Sequence, residues 1–225
     1  MKGITKILLV LLVCILLAAA FFQVYRTNMG SNSTGYVTKQ LDAYPLPHQT
    51  KIAVITGMHP RELHATDVVP KAALAYALQN NVEIDNYQVT VTDEPQDFNV
   101  GRANGQALVA GFVNPDIIKN NYTMVIICHD HESGYGSGYY FATPTHDSKS
   151  VALGNKVSQL LPNFNYYSGS SSASYEATSI SQVDLPLTNA GIPVFVYEIP
   201  ENDDNNTAYT NTYNLLDASF KALSS

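Results

Sequence analysis

The chain has 225 residues, with 12 Lys and Arg against 19 Asp and Glu and a formal net charge of −7, a length that suits one α/β domain. Setting aside Lys2, Lys6 and Arg26 near the amino terminus leaves nine basic against nineteen acidic residues, which argues against nucleic acid or anionic lipid headgroups as partners. Cys14 and Cys128 each lie in an apolar run, so the domain has no disulfide of its own to draw on.

Lys2 and Lys6 precede an apolar run from Ile7 to Val24, broken only by Gln23. A positive start followed by such a run reads as a signal anchor or signal peptide over residues 1–26. The run is longer than the usual core of a cleaved signal, about 7–15 residues, and near the lower limit for a membrane span, about 17–25 residues. The expectation is therefore one N-terminal membrane segment with the rest of the chain outside the cytoplasm. Cleavage after Ala18-Ala19-Ala20, giving a secreted protein, is the alternative. Asn32-Ser33-Thr34, Asn121-Tyr122-Thr123 and Asn205-Asn206-Thr207 have the form of N-glycosylation acceptors, which suits an extracellular glycoprotein.

Residues 27–49, rich in Asn, Ser, Gly and Thr and carrying Pro45 and Pro47, read as a stalk or linker. The domain is expected over 50–225. Ile52–Ile55 reads as a buried strand, followed by a helix that starts near Pro60 and is broken or kinked at Pro70. Tyr87–Val91 alternates and suggests a strand with one exposed face. Residues 99–105 read as a loop, with a helix from Gln106 to Ile118 interrupted at Pro115. Met124–Cys128 is a second buried strand and Tyr139–Phe141 a short one. Ser148–Leu161 reads as a helix with Val151, Val157, Leu160 and Leu161 inward. After an irregular segment come a strand at Val194–Tyr197 and a last helix from about Thr207. Strands alternating with helices predict an α/β fold, with a mixed, largely parallel sheet and helices on both faces.

In such sheets ligands bind beyond the carboxyl ends of the strands, and three apolar runs end in residues that bind metals. The first leads into Gly57-Met58-His59-Pro60-Arg61-Glu62, where His59 and Glu62 stand three apart. The second runs into His129 and the third into Glu198. Two imidazoles and one carboxylate, from His59, Glu62 and His129, make a zinc set that leaves one position for water, whose pKa falls to about 7. His131 is the alternative to His129. Glu198 is the candidate general base. Arg61 and Arg102 are the arginines beyond residue 26, and a guanidinium near a metal suits an oxyanion or a substrate carboxylate. Ordinary surface pairing is the other reading of both. His48, His64 and His146 read as solvent-facing or helix-surface residues with no role.

These pieces resemble the zinc carboxypeptidase superfamily, including its aspartoacylase and succinylglutamate desuccinylase branch. Gly57–Glu62 is similar to its G-x-H-x-R-E motif, Ile127–His131 to its third-ligand segment, and Gly191–Glu198 to its general-base strand. The resemblance implies zinc on His59, Glu62 and His129, Glu198 as base, and a mixed sheet of eight or so strands. The family's Asn-Arg pair between the second and third ligands is missing, and Arg102 with Asn104 would substitute for it. Tyr175 stands where the family often has a substrate-site tyrosine. The function expected is zinc-dependent hydrolysis of an amide bond in a peptide or peptide-like substrate, such as cell-envelope or scavenged peptides. The alternatives are an N-acyl amino acid deacylase and a non-catalytic surface binding domain.

Overall fold

The apolar runs at 52–55, 124–128 and 194–197 form three neighbouring strands at the centre of one sheet. The structure, a computed structural model, describes residues 2–21, 25–42, 50–169 and 178–225. In chain order its elements are α1 (Lys2–Phe21), β1 (Tyr25–Asn32), β2 (Gly35–Asp42), β3 (Lys51–Thr56), α2 (Leu63–Asp67), α3 (Val69–Asn80), β4 (Glu83–Val91), α4 (Phe98–Leu108) and α5 (Asn114–Lys119). They continue with β5 (Met124–His131), β6 (Tyr140–Ala142), α6 (Ser148–Leu160), β7 (Asn165–Tyr167), α7 (Leu185–Asn189), β8 (Val194–Pro200) and α8 (Asn205–Leu223). π-Helical turns at Val109–Val113 and Ile180–Asp184 lead into α5 and α7.

The eight strands run in the order β1-β2-β4-β3-β5-β8-β6-β7. β4, β3, β5 and β8 are mutually parallel, β6 and β7 are parallel to each other, and the β1–β2, β2–β4 and β6–β8 pairs are antiparallel. Alternation along each strand assigns its residues to two cores. Ile52, Val54, Met124, Ile126 and Cys128 pack with α3, α6 and α8. Ala53, Ile55, Val125, Ile127 and Val194 pack with α4, α5 and α7. The expected mixed α/β sheet with both faces covered is the observed one.

Several expected boundaries move. Residues 27–42, read as stalk, instead lie in β1 and β2, a hairpin that extends the sheet beside β4. Asn32 accepts from the Thr34 amide at 2.8 Å to make its turn, and its inward residues include Gln40 and Asp42, so no apolar periodicity announces it. Residues 43–49, including His48, lie outside the described residues. Among the described residues no helix is long and apolar enough to cross a membrane, so the anchor expected over 1–26 rests on the sequence alone.

The helix expected near Pro60 begins at Leu63, and Pro70 sits in the first turn of α3, just after the break at Val68. Over Tyr87–Val91 β4 alternates as expected, with Tyr87, Val89 and Val91 buried in one core and Gln88 and Thr90 half-buried on the other face, while Ile84 nearer its start joins the other core. The segment 99–105 is helix, not loop. Asp97 caps α4 by accepting from the amides of Asn99 and Val100, which overrides the unfavourable Gly101 and Gly105. In α6 the buried side includes Leu153 and Val157, with Leu160 exposed.

Toward the amino ends of the central strands lies a partly buried polar chain. Lys39 pairs with Asp116, which accepts from Tyr87; Tyr87 and Tyr122 share a hydrogen bond; Tyr122 donates to Asp85, and Asp85 pairs with Lys51. Asp42 lies beside this chain, taking one hydrogen bond from Gln40 and leaving one buried oxygen without a partner among the described residues. Burial, reinforced by Asp85, pushes Asp42 up to about 7 against the pull of Gln40 and Arg26.

A carboxyl whose folded pKa is raised contributes stability in full below its unfolded pKa, about 3.9, and loses it as pH rises through its folded value. The parent protein is therefore expected to lose stability between pH 4 and 7 relative to an Asp42→Asn variant, by about 4 kcal/mol at most. Denaturant melts of both proteins at pH 4, 6 and 8 check this; a constant difference across that range removes the assignment.

Candidate metal centre

Beyond Thr56, β3 ends in a turn that only glycine makes without strain. Gly57 has φ +74°, and a Cβ there would lie 2.3 Å from the Val89 carbonyl oxygen. The turn buries Met58 and brings His59 inward. α4 crosses directly above it at Gly105, where a Cβ would meet the Met58 carbonyl oxygen at 1.7 Å. The Glu62 amide then donates to the His59 carbonyl at 3.2 Å, and Glu62 takes the N-cap position of α2 in extended backbone without capping it. Its side chain is used elsewhere.

Glu62 Oε1 lies 2.8 Å from His59 Nδ1 and Oε2 lies 2.7 Å from His129 Nδ1. The two imidazoles stack with centroids 4.3 Å apart. Ligand atoms of the three residues all fall within 4.8 Å of one another. Donors on a tetrahedral zinc at about 2.0–2.1 Å stand about 3.4 Å apart, so this set fits zinc with small adjustments. A second layer holds it. Thr178 Oγ1 donates to Gln106 Oε1 at 2.7 Å, which turns the Gln106 amide nitrogen toward His59 Nε2 at 3.5 Å. Arg102 Nη1 lies 3.3 Å from Glu62 Oε1.

The charges are strongly coupled. Burial, then the neighbouring His129, hold His59 down to about 4. Burial works to raise Glu62, but His129 and His59 outweigh it and hold the carboxyl at about 2. Burial likewise works to lower His129, and Glu62 outweighs it, taking the imidazole up to about 9. The Glu62 carboxylate thus lies between two imidazoles driven in opposite directions, His59 down and His129 up.

Glu198 stands beside His129 in register on the neighbouring parallel strand, so both project from the same sheet face. Burial raises its carboxyl, reinforced by Glu62 and opposed by His129, His131 and Arg102. His59, Glu62, His129, Glu198, Arg61 and Arg102 all line one cavity of about 650 Å³. The two guanidiniums flank the Phe98 ring at its mouth, 5.4 and 5.0 Å from the ring centroid.

Other expectations are corrected. His131 belongs to β5 rather than a loop and is buried. Its ring nitrogens lie 3.2 Å from the Glu132 carbonyl and 3.0 Å from the Gly138 carbonyl, so it is His129 that joins the pair. Arg102 is carried by a helix. Asn104 does not join it at the cavity: its amide donates to the Asp93 carbonyl at 3.1 Å, on the outer side of α4. Tyr175 lies outside the described residues. His64 is buried, not solvent-facing.

Sequence reasoning also passed over Asp184. It is 2% exposed, lines the same cavity, and has one carboxylate oxygen with no hydrogen-bond partner among the described residues. Burial pushes it up to about 7 against the pull of His129. The π-helical turn that ends at Asp184 is held by Asn114, whose amide donates to the Gln182 and Val183 carbonyls at 3.3 and 3.1 Å. A lone Asp before Leu-Pro carries no sequence signal for this.

No family model and no curated protein sequence matches the chain. Solved structures do. A metallo-carboxypeptidase from Burkholderia cenocepacia matches with a TM-score of 0.62 at 13% identity, covering 90% of this chain and 65% of that one. The metallo-carboxypeptidase from Pseudomonas aeruginosa in complex with (2-guanidinoethylmercapto)succinic acid has a TM-score of 0.62 at 11% identity, covering 93% and 68%. The tripeptide-bound cell shape determinant Csd4 protein from Helicobacter pylori has a TM-score of 0.58 at 11% identity, covering 84% and 55%. The likeness is one of fold, and the chain spans about two thirds of the first two structures and little more than half of the third.

Metal must displace the proton that His129 holds up to about 9, so affinity for zinc is expected to rise with pH through the range 6 to 8. His59→Ala and His129→Ala are each expected to lower zinc affinity by more than the roughly 10–100-fold cost of a supporting residue, while His131→Ala retains binding. Competition with a chelator at several pH values measures all three; a His131→Ala variant that loses zinc while His129→Ala keeps it would reverse the ligand assignment.

Proposed function

We propose that this chain, built on the fold of the metallo-carboxypeptidases, is a zinc-dependent hydrolase that cleaves an amide bond in a peptide or peptide-like substrate. The observation that carries the reading is the convergence of His59, Glu62 and His129 in one cavity, with an unligated carboxylate, Glu198, on the adjacent strand. A binding module has no need of that fourth residue.

Zinc held by His59, Glu62 and His129 would supply a Lewis acid and make a water acidic enough to react near neutral pH. The chain's own residues do the rest. Glu198, its carboxyl raised by burial, takes a proton from the attacking water and passes it to the leaving amine. Arg102, beside Glu62, steadies negative charge that develops on the carbonyl oxygen. Arg61 and Arg102 together, at the mouth around Phe98, suit a substrate carboxylate in place of the missing Asn-Arg pair. That geometry favours a peptidase acting near a free carboxyl terminus.

Asp184 adds selectivity. A buried carboxylate oxygen without a partner costs free energy until a donor reaches it. A cationic group on the residue bound in the cavity meets that need. Location is part of the proposal and rests on the sequence: the apolar run from Ile7 to Val24 and the acceptor triplets support an extracytoplasmic protein, anchored or secreted, acting on cell-envelope or scavenged peptides.

Glu198→Gln is expected to lower kcat about 10²–10⁴-fold with zinc affinity retained. The base works deprotonated and its pKa is raised, so the acid limb of kcat/KM should fall above the ordinary glutamate value of about 4.3. A Glu198→Gln protein with parental turnover sinks the hydrolase reading. Asp184→Asn should cost about 30-fold or more in kcat/KM for peptides ending in a cationic residue and little for neutral ones. Equal losses on both peptides would remove the selectivity role.

A further inference from the structure

Glu62 occupies the N-cap of α2 but does not cap it, because its carboxylate faces the two imidazoles. The amides at the start of α2 are nevertheless satisfied, by a residue distant in sequence. Asp130 Oδ2 accepts from the His64 amide at 2.7 Å, and Oδ1 accepts from the Ala65 amide at 2.9 Å. These are the second and third residues of the helix, the amides an N-cap side chain normally serves. Asp130 follows His129 directly on β5, and successive strand residues project to opposite faces. Cys128 belongs to the core under α3 and α8, and Ile127 to the core under α4 and α5. His129 therefore turns to the cavity face while Asp130 turns to α2. His64 completes the arrangement: Nδ1 lies 3.4 Å from Asp130 Oδ2 and Nε2 lies 3.0 Å from the Asp203 carbonyl.

We infer that Asp130 is a positioning residue for the metal centre, capping α2 in place of Glu62 so that the Glu62 carboxylate is free to bind metal. This rests on the proposed zinc site. One dipeptide, His129-Asp130, then supplies a ligand on one face of the sheet and, on the other, clamps the helix that begins at the second ligand. With Asp130 removed, the first turn of α2 has two unpaired amides, and the Glu62 side chain, at the N-cap position, is placed to turn back and serve them. Capping and ligation then compete for the same carboxylate. Asparagine brings one acceptor oxygen instead of two, so it restores the clamp in part.

The test compares the full chain with Asp130→Ala, Asp130→Asn and Asp147→Ala. Asp147 caps α6 by accepting from the Ser150 amide and does not line the cavity, so it reports what losing an ordinary cap does. Zinc affinity, by chelator competition, is expected to fall about 10–100-fold in Asp130→Ala, less in Asp130→Asn, and not at all in Asp147→Ala, although both alanine variants melt at lower temperature. The metal-free proteins are compared by the NMR resonances of the His59 and His129 imidazoles. These should shift in Asp130→Ala and stay in place in Asp147→Ala. A folded Asp130→Ala protein with parental zinc affinity and unmoved imidazole resonances overturns the inference, as does an equal loss in Asp147→Ala. If the parent takes up no zinc, it is the hydrolase proposal that fails, and the imidazole resonances still decide whether Asp130 positions the cluster.

Discussion

A carboxylate removed from water must be met by opposite charge or by donors, and Glu62 meets that demand between two imidazoles. Everything distinctive about this protein follows from keeping His59, Glu62 and His129 in contact. Two of the three come from one turn after β3. The third arrives from β5, and the parallel pairing of Ile55 with Ile127 places the two strand ends side by side. Parallel strands bring equivalent ends together, so the carboxyl ends of β3, β5 and β8 share one rim of the sheet. An antiparallel neighbour would have carried its carboxyl end to the opposite rim.

The two-core packing of the sheet decides which side chains can meet at that rim. Ile127 and Val194 are committed to the core under α4, α5 and α7, and the pleat then sends His129 and Glu198 to that face. Cys128 is committed to the other core, and Asp130 follows it toward α2. Apolar burial several residues away thus fixes the orientation of the polar residues at the strand ends, because a one-residue slip would expose an entire hydrophobic set. α4 closes the site from above, and Gly105 permits an approach to the Met58 carbonyl that any side chain would block.

The parts legible from the sequence were those with strong local signals. Continuous apolar runs identified β3, β5 and β8, and the residues at their ends identified His59, Glu62, His129 and Glu198. Signals failed where structure is made by polar residues. β2 is stabilised by pairing to β4 and β1 by pairing to β2 through an Asn32 turn, rather than by apolar periodicity, so they read as linker. α4 begins at a capping Asp97 and contains glycines, so its first half read as loop, and Arg102 and Asn104 were grouped although the helix turns Asn104 to Asp93. His131 read as a loop residue because the apolar run ends before it, yet the β5–β8 ladder continues through it to Pro200.

By itself the sequence determined that an α/β sheet would form and that its strand ends would carry residues able to hold a metal ion, because apolar runs and strand-end residues are properties of short segments. Only the tertiary structure decided which histidine joins the cluster, that Asp184 is sealed into the same cavity, and that Asp130 rather than Glu62 caps α2. Those outcomes depend on which face of the sheet each residue leaves and on what another segment brings to meet it. Contact across tens of residues is set by strand register and helix packing, and neither is written in the spacing of residues along the chain.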